Sequence, residues 1–474
     1  MKISCFLSLW YVIIRSILKE RIIMEKKRSN FSGKIGFVLA AAGSAVGLGN
    51  LWRFPYLAAK YGGGTFLLVY VILAVTFGFA LTIGEVAIGR KSGLSVIGAF
   101  NKLSEKYTFI GYLAALVPII IMPYYCVIGG WVVKYLTVFL TGNAAVAAQD
   151  TYFGAFTSQA VEPIIWLFLF IGATTLVVYR GVEEGVEKVS KFLMPILVIL
   201  TVGIAIYSVC LPGAFEGLKY YVLPNMKDFS LTTIVGAMGQ LFYSMSLAMG
   251  IMVTYGSYMK KEVDLEKSVK QIEIFDTGIA FFAGMMIIPA VFAFSGGDAS
   301  MINAGPGLMF MTLPKVFASM PMGNFIGAAF FLLVLFAALT SSISLMETIV
   351  SIFCDKLGWN RHHTIIFVFV MSMFIALPST LGFGVWSGIT PLGMDFLTFF
   401  DFISNSVLMP IVAFLTCVFI GYVIKPKAIA DEVKISSKFK NEKLFTVVIK
   451  YVAPVCIVII LISSVLSAFG FMTI

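Results

Sequence analysis

Between Ile35 and Tyr61 the chain carries an apolar stretch long enough to cross a bilayer, yet its middle works against a continuous helix. Gly43, Gly47 and Gly49 are followed closely by Asn50 and Arg53. Glycine weakens a helix interior by about 0.5–1 kcal/mol relative to alanine, so the cluster marks backbone that comes unwound. In a bilayer, unwound backbone is tolerated only where it is buried in protein or lines a cavity. There the freed carbonyls can take a cation and the freed N–H groups an anion. Asn50 adds a neutral oxygen, and Arg53 a fixed charge about one turn further on. A glycine-rich packing face between helices would account for the glycines. It would not account for Asn50 and Arg53 at membrane depth, so the stretch is read as a binding site.

The rest of the 474 residues agrees with a membrane setting. Only 12% are charged and 59% are hydrophobic, against about 25% charged in soluble domains. An all-α polytopic membrane protein follows. Eleven spans are expected, near 35–60, 66–89, 110–140, 164–179, 189–211, 231–258, 272–296, 323–354, 364–379, 393–424 and 444–470. The net charge of +10 does not point to nucleic acid, because the basic residues gather in alternate loops. Loops 142–162 and 380–392 hold no Lys or Arg. This asymmetry places the N-terminus in the cytoplasm and the C-terminus outside, in a multi-pass protein of the cell (inner) membrane. The six cysteines lie in or beside apolar segments without metal spacing and are read as buried packing thiols. His362 and His363 are expected at the interface. Residues 1–23 read as translated upstream sequence, with the start at Met24, or as a short interfacial helix.

The first ten spans divide into two halves, repeat 1 near 33–211 and repeat 2 near 231–424, inside a core of 24–430. Residues 431–474 supply a loop and the eleventh span. Span 1 is interrupted by glycines, and span 6 near Ser244–Gly250. Interruptions in corresponding places point to a 5+5 inverted-repeat transporter with its site at the midplane. Polar groups at depth are few. Thr340, Ser341 and Ser342 lie in span 8, and Asp276, read as the one carboxylate at depth, lies in span 7. A carboxylate at the centre of a span costs about 2.5–3.5 kcal/mol on insertion scales, and a bound cation is its natural partner.

These residues sit in longer motifs: Gly43-Ser-Ala-Val-Gly-Leu-Gly-Asn50 with Arg53-Phe-Pro55, Gly239-Gln-Leu-Phe-Tyr-Ser244, Ala304-Gly-Pro-Gly307 with Thr312-Leu-Pro-Lys315, and Ala337-Ala-Leu-Thr-Ser-Ser342. In them the chain resembles the neurotransmitter:sodium symporter family from Arg28 to its end. Its eleven spans and short outer loops resemble the family's bacterial tyrosine and tryptophan carriers. The resemblance implies a leucine-transporter-like fold with broken helices 1 and 6 and two sodium sites. The first would use the Ala45 carbonyl, Asn50, Ser244, Asp276 and the substrate carboxylate. The second would use the carbonyls of Gly43, Val46 and Ala337 with the hydroxyls of Thr340 and Ser341. The substrate carboxylate would meet the N–H groups of Leu48 and Gly49 and the Tyr125 hydroxyl. Its ammonium would meet the carbonyls of Ala45 and Tyr243 and the Ser246 hydroxyl. Ile121, Tyr125, Tyr243, Ser246, Met249, Ser341 and Leu345 would surround its side chain, with Ser244 beside them.

Two departures shape the expected cargo. Monoamine carriers of the family have an aspartate where this chain has Gly47, which implies a substrate bringing its own carboxylate. In span 7, chloride-dependent members have Asn and, four residues on, Ser. Here those positions are Asp276 and Ala280. Counted from Pro289 the match falls on Phe275 instead, whose ring cannot ligate sodium. A fixed carboxylate would replace chloride, so no chloride is expected. Arg53 with Asp401 would form the outer gate, and Arg28 with Asp355, near Tyr258, the inner one. Gly185 and Pro195 have the spacing seen where a fifth helix unwinds towards the cytoplasm.

The expectation is a sodium-coupled symporter importing a hydrophobic, aromatic (Tyr or Trp) L-amino acid by alternating access. Two sodium ions with one zwitterion would carry two charges, worth about 4.6 kcal/mol per 100 mV. A branched-chain or methionine-type symporter and a non-transporting amino-acid sensor are the alternatives. No nucleophile–base pair suggests an enzyme. The expected partners are an amino acid and the bilayer, with no nucleic acid and no obligatory protein.

Overall fold

The computed structural model describes residues 30–297, 302 and 305–471. The expected upstream segment 1–23 and the gate residue Arg28 lie outside the described residues. Among the described residues the chain forms eleven helical spans, ten of them long and apolar enough to cross a membrane and the sixth made of two shorter helices. They are Lys34–Ala45 with Gly49–Lys60, Gly64–Ser92, Glu105–Leu140, Glu162–Tyr179, Val182–Val209, Leu231–Ser244 with Ile251–Ser257, Leu265–Ser295, Gly323–Leu357, Arg361–Leu381, Phe396–Val423 and Glu442–Ala468.

Spans 1 and 6 are broken. The two pieces of span 1 are bent by 53°, with extended backbone at Val46 (φ −72°, ψ 100°). Its second piece opens with a wide π-helical turn, Gly49–Arg53. In span 6 the helix stops at Ser244 and resumes at Ile251. Ser246 and Ala248 between them take left-handed φ angles of 52° and 60°. Such conformations cost about 1–3 kcal/mol each and persist only where surrounding contacts enforce them. Here the Ser246 Oγ donates to the Ser44 carbonyl at 3.0 Å, and the Ala248 N–H donates to Glu85 Oε1 at 2.7 Å.

Loops alternate between two ends of the bundle. At one end the basic loops meet. Arg90 and Lys261 both reach Glu432, at 3.0 and 2.6 Å. Lys260 donates to the Ser32 carbonyl at 3.0 Å, and the Ser95 N–H to Asp355 at 2.7 Å. At the other end Lys315 pairs with Asp150, and the Ala144 N–H donates to Asn324 at 2.9 Å. The loops also hold short helices that the span pattern does not reveal: Val96–Leu103, Tyr152–Thr157, Ala214–Val222, Leu313–Ser319 and Lys425–Lys434. One expectation about thiols fails. Cys126 and Cys417 are buried, but Cys210, at the end of span 5, is exposed. It follows the last helical turn, where no neighbouring span covers it.

The second half of span 6 lies backbone to backbone against span 2. A methyl group at Gly256 would press on the Val86 carbonyl and Cα, and one at Gly89 on the Val253 carbonyl and the Ser257 nitrogen. Small residues let membrane helices approach this closely. Gly256→Leu is therefore expected to lower the thermal unfolding temperature in detergent, with an overpacking cost of at least about 1–3 kcal/mol. Gly172→Leu, where an added carbon meets open space, should leave that temperature unchanged.

Candidate ion and substrate site

The two breaks enclose one small cavity lined by Ala45, Leu48, Asn50, Tyr125, Ser244 and Leu345 among others. Its free space is about 40 Å³, far below the roughly 300–1,000 Å³ of pockets that hold drug-sized ligands. A larger ligand is admitted only as the lining side chains move.

On one side of the cavity, polar groups converge on Asp276. Its Oδ1 accepts from Asn50 Nδ2 at 2.8 Å and from Ser244 Oγ at 2.7 Å. Its Oδ2 accepts from the Tyr70 hydroxyl at 3.2 Å. Asn50 Oδ1 in turn accepts the Gly47 N–H at 3.0 Å. Asn50 and Asp276 are both fully buried. A buried carboxylate surrounded by neutral donors keeps a net negative charge, and a cation beside it would lower the cost of that charge. Ala45, the fourth member expected here, lines the same cavity.

A second polar cluster lies where span 8 passes the break in span 1. The Ser341 Oγ is 3.5, 3.2 and 3.4 Å from the carbonyl oxygens of Gly43, Ser44 and Val46. The Thr340 Oγ1 lies 3.1 Å from the Ala337 carbonyl, and Gly43 is so close that an added carbon would be 3.2 Å from the Thr340 Cβ. Gly43, Val46, Ala337, Thr340 and Ser341 are thus brought together. These are hydroxyl and carbonyl oxygens, the donor chemistry of hard cations.

Between the clusters, the Leu48 N–H points at the Tyr125 hydroxyl, 3.4 Å away. A side chain at Gly47 would begin 2.9 Å from the Ser341 Oγ and 3.2 Å from the Tyr125 hydroxyl. Gly49 has no room either, because the Tyr243 ring lies 2.7 Å from where a Cβ would stand. Ile121, Tyr243, Ser246, Met249, Ser341 and Leu345 complete the wall.

The outer gate differs in detail from a simple ion pair. Arg53 lies over the Tyr243 ring, its Cζ 5.1 Å from the centroid, and makes no direct ion pair with Asp401. Asp401 accepts from Tyr124 at 3.2 Å and from Asn405 at 2.6 Å. At the basic end Tyr258 donates to Glu347 at 2.8 Å. Arg361 clasps the same carboxylate with two bonds of 2.9 and 2.5 Å. Asp355 holds the Ser95 N–H. Gly185 lies in a π-helical turn at the start of span 5, Val182–Glu187, pressed against the Val177 carbonyl.

Several residues that build the site were not singled out from sequence. Asp276 is not the one carboxylate at depth, since Glu85, Glu273 and Glu347 are buried too. Glu85 ties down the unwound part of span 6, and Gln240 donates to the Gly49 carbonyl at 3.0 Å. The signal was available for the glutamates, each a charged residue inside an apolar span. It was absent for Tyr70, one aromatic among many.

The profile of the sodium:neurotransmitter symporter family matches residues 28–162 and 155–471. A sodium-dependent transporter of Bacillus subtilis, YhdH, is 33% identical over 450 residues, covering 92% of this chain and 97% of that protein. A sodium-dependent transporter of Haemophilus influenzae is 32% identical, covering 93% and 99%. The sodium- and chloride-dependent taurine transporter of Rattus norvegicus is 27% identical, covering 84% and 71%. Among solved structures, MhsT in complex with L-phenylalanine superposes with a TM-score of 0.83 and 36% identity, covering 92% of this chain and 100% of that one.

The Glu347–Arg361 pair yields a direct test. Removing one partner of a buried ion pair leaves an uncompensated charge and costs about 3–5 kcal/mol. Arg361→Met should lower the thermal unfolding temperature sharply. The double variant Glu347→Met with Arg361→Met should recover most of the loss.

Proposed function

Because the chain belongs to the sodium:neurotransmitter symporter family, and is a multi-pass membrane sodium-dependent symporter of that family's inverted-repeat fold, we propose that it imports a hydrophobic, aromatic L-amino acid together with two sodium ions and without chloride. The observation that carries this reading is the convergence of Asn50, Ser244 and Asp276 beside the Leu48 N–H, whose partner is the Tyr125 hydroxyl at 3.4 Å. That arrangement suits a sodium ion shared between a protein carboxylate and the carboxylate of the cargo. The Ala45 carbonyl would be a further ligand. The second ion would lie among Gly43, Val46, Ala337, Thr340 and Ser341.

Gly47 supports an amino acid over an amine. A side chain there would fill the space between Ser341 and Tyr125 where a substrate carboxylate would lie. The ammonium group would take the carbonyls of Ala45 and Tyr243 and the Ser246 hydroxyl. Tyr243, Met249, Ile121 and Leu345 offer an apolar, polarizable surface to the cargo side chain. MhsT, at 36% identity, was solved with L-phenylalanine, which agrees with an aromatic cargo. Asp276 supports independence from chloride, because it supplies a fixed negative charge at the first ion site. Arg53, Asp401 and the tyrosine pair Tyr125 and Tyr243 would close the outer path. Asp355, Tyr258 and Arg28 would close the inner one, with the N-terminus in the cytoplasm.

In proteoliposomes with an inward sodium gradient, radiolabelled tyrosine or tryptophan should accumulate well above a choline control. Replacing chloride by gluconate should leave uptake unchanged. Loss of uptake without chloride would contradict the role given to Asp276, and preference for leucine would favour a branched-chain carrier. Sodium-dependent binding without accumulation would indicate a sensor. Gly47→Asp should abolish uptake of the amino acid, measured in the same vesicles.

A further inference from the structure

Away from the central site, a cavity of about 450 Å³ opens between span 2 and span 7 and is closed at one edge by Asn441. That volume lies within the range of about 300–1,000 Å³ typical of ligand pockets. Its walls are mostly apolar. Val71 and Val75 come from span 2, and Ile274 and Gly278 from span 7. Val75 and Ile274 are 56% and 70% exposed, so the groove faces the surroundings of the bundle rather than its core. The π-helical turn Ala74–Gly78 shapes its span 2 wall. Gly278 leaves it open, since an added carbon there meets nothing within 4 Å.

Two polar groups enter this apolar space. Glu273 is only 6% exposed, and its Oε1 has no hydrogen-bond partner. A buried polar atom in that state costs free energy unless something outside the chain satisfies it. Lys270 lies one turn nearer the basic end. Its ammonium is 2.7 Å from Glu266 and 5.5 Å from the centre of the Phe79 ring. An ammonium has three donors, so Lys270 keeps capacity for a further acceptor. Asn441 lies in the basic segment that also carries Lys438, Lys440 and Lys443.

We propose that this groove binds a glycerophospholipid of the surrounding membrane, with an anionic headgroup preferred. The phosphate would sit at Lys270 and Asn441. One acyl chain would lie over Val71, Val75 and Gly278. Glu273, as the neutral acid, would donate its O–H to a glycerol ester carbonyl. The spacing suits this order, because three residues of helix separate Lys270 from Glu273 by about 4.5 Å along the axis. Ester carbonyls of a phospholipid lie on the acyl side of its phosphate, as Glu273 lies on the inner side of Lys270. Basic pockets between spans on the basic side of a membrane protein are suited to anionic headgroups. A lipid held here would bridge span 2 to span 7, the two spans whose Tyr70 and Asp276 meet at the ion site.

Lipid retained by the full-length protein after detergent purification and exchange into phosphatidylglycerol would be counted by native mass spectrometry. The parent should hold one phosphatidylglycerol. Lys270→Gln should reduce occupancy about fivefold. Gly278→Phe, which fills open space and leaves the core untouched, should remove it. Glu273→Leu should also lose the lipid, whereas Glu273→Gln, which keeps a donor, should retain it. Inorganic phosphate and diacylglycerol, tested separately for thermal stabilisation, should each fail where phosphatidylglycerol succeeds. Equal retention by the parent, Lys270→Gln and Gly278→Phe would overturn the proposal. So would stabilisation of the parent by inorganic phosphate alone.

Discussion

Backbone that leaves the helix inside a membrane must find other partners, and the rest of this structure depends on that constraint. Two helices break side by side, and neighbouring side chains satisfy part of what the breaks release. Glu85 takes the Ala248 N–H, Gln240 reaches the Gly49 carbonyl, and Ser246 reaches the Ser44 carbonyl. These contacts also enforce the left-handed residues of span 6. The carbonyls of Gly43, Ser44 and Val46 lie within 3.5 Å of the Ser341 hydroxyl, which lines the cavity. The same economy makes the strained segment stable and leaves it able to bind.

The charges follow from this arrangement. Asp276 lies beside the break rather than on it, held by Asn50 from span 1, Ser244 from span 6 and Tyr70 from span 2. Four spans therefore meet at one carboxylate. At the basic end, hydrogen bonds to two buried glutamates tie the chain beside the broken helices to the scaffold. Glu187 of span 5 accepts the Ser32 N–H at 2.8 Å, just before span 1, and Lys191 reinforces it at 2.6 Å. Glu347 holds Tyr258 and Arg361. A buried ion pair adds little net stability, because removing both charges from water costs about as much as their attraction returns.

The large features were legible in the sequence because they are local. Each span is a continuous apolar stretch, and the break in span 1 is written as glycines within a single segment. The break in span 6 could be placed near Ser244–Gly250 but not explained, since its supports come from Glu85 and Ser44 far away in the chain. The short loop helices escaped notice because they are only six to ten residues long. Glu85 and Glu347 carry a usable sequence signal, charge inside an apolar span. The grouping of Asn50 with Asp276 joins residues 226 apart, and no spacing rule could supply it. It came instead from motif resemblance, and the structure brings those residues within hydrogen-bond distance. The arrangement of Arg53 over Tyr243 was not foreseeable, because a charge and a ring in separate spans reveal nothing of their packing.

In the proposed mechanism, ion and amino acid share one site formed by the two breaks, the cargo carboxylate being itself an ion ligand. Equilibrium binding of radioactive sodium, measured with and without tyrosine on the purified protein, tests this most directly. Shared ligation requires reciprocal coupling. Tyrosine should lower the sodium concentration needed for half-saturation, sodium should tighten tyrosine binding in return, and Asp276→Ala should remove both effects. Sodium binding that ignores tyrosine would contradict the account, whatever else the fold explains.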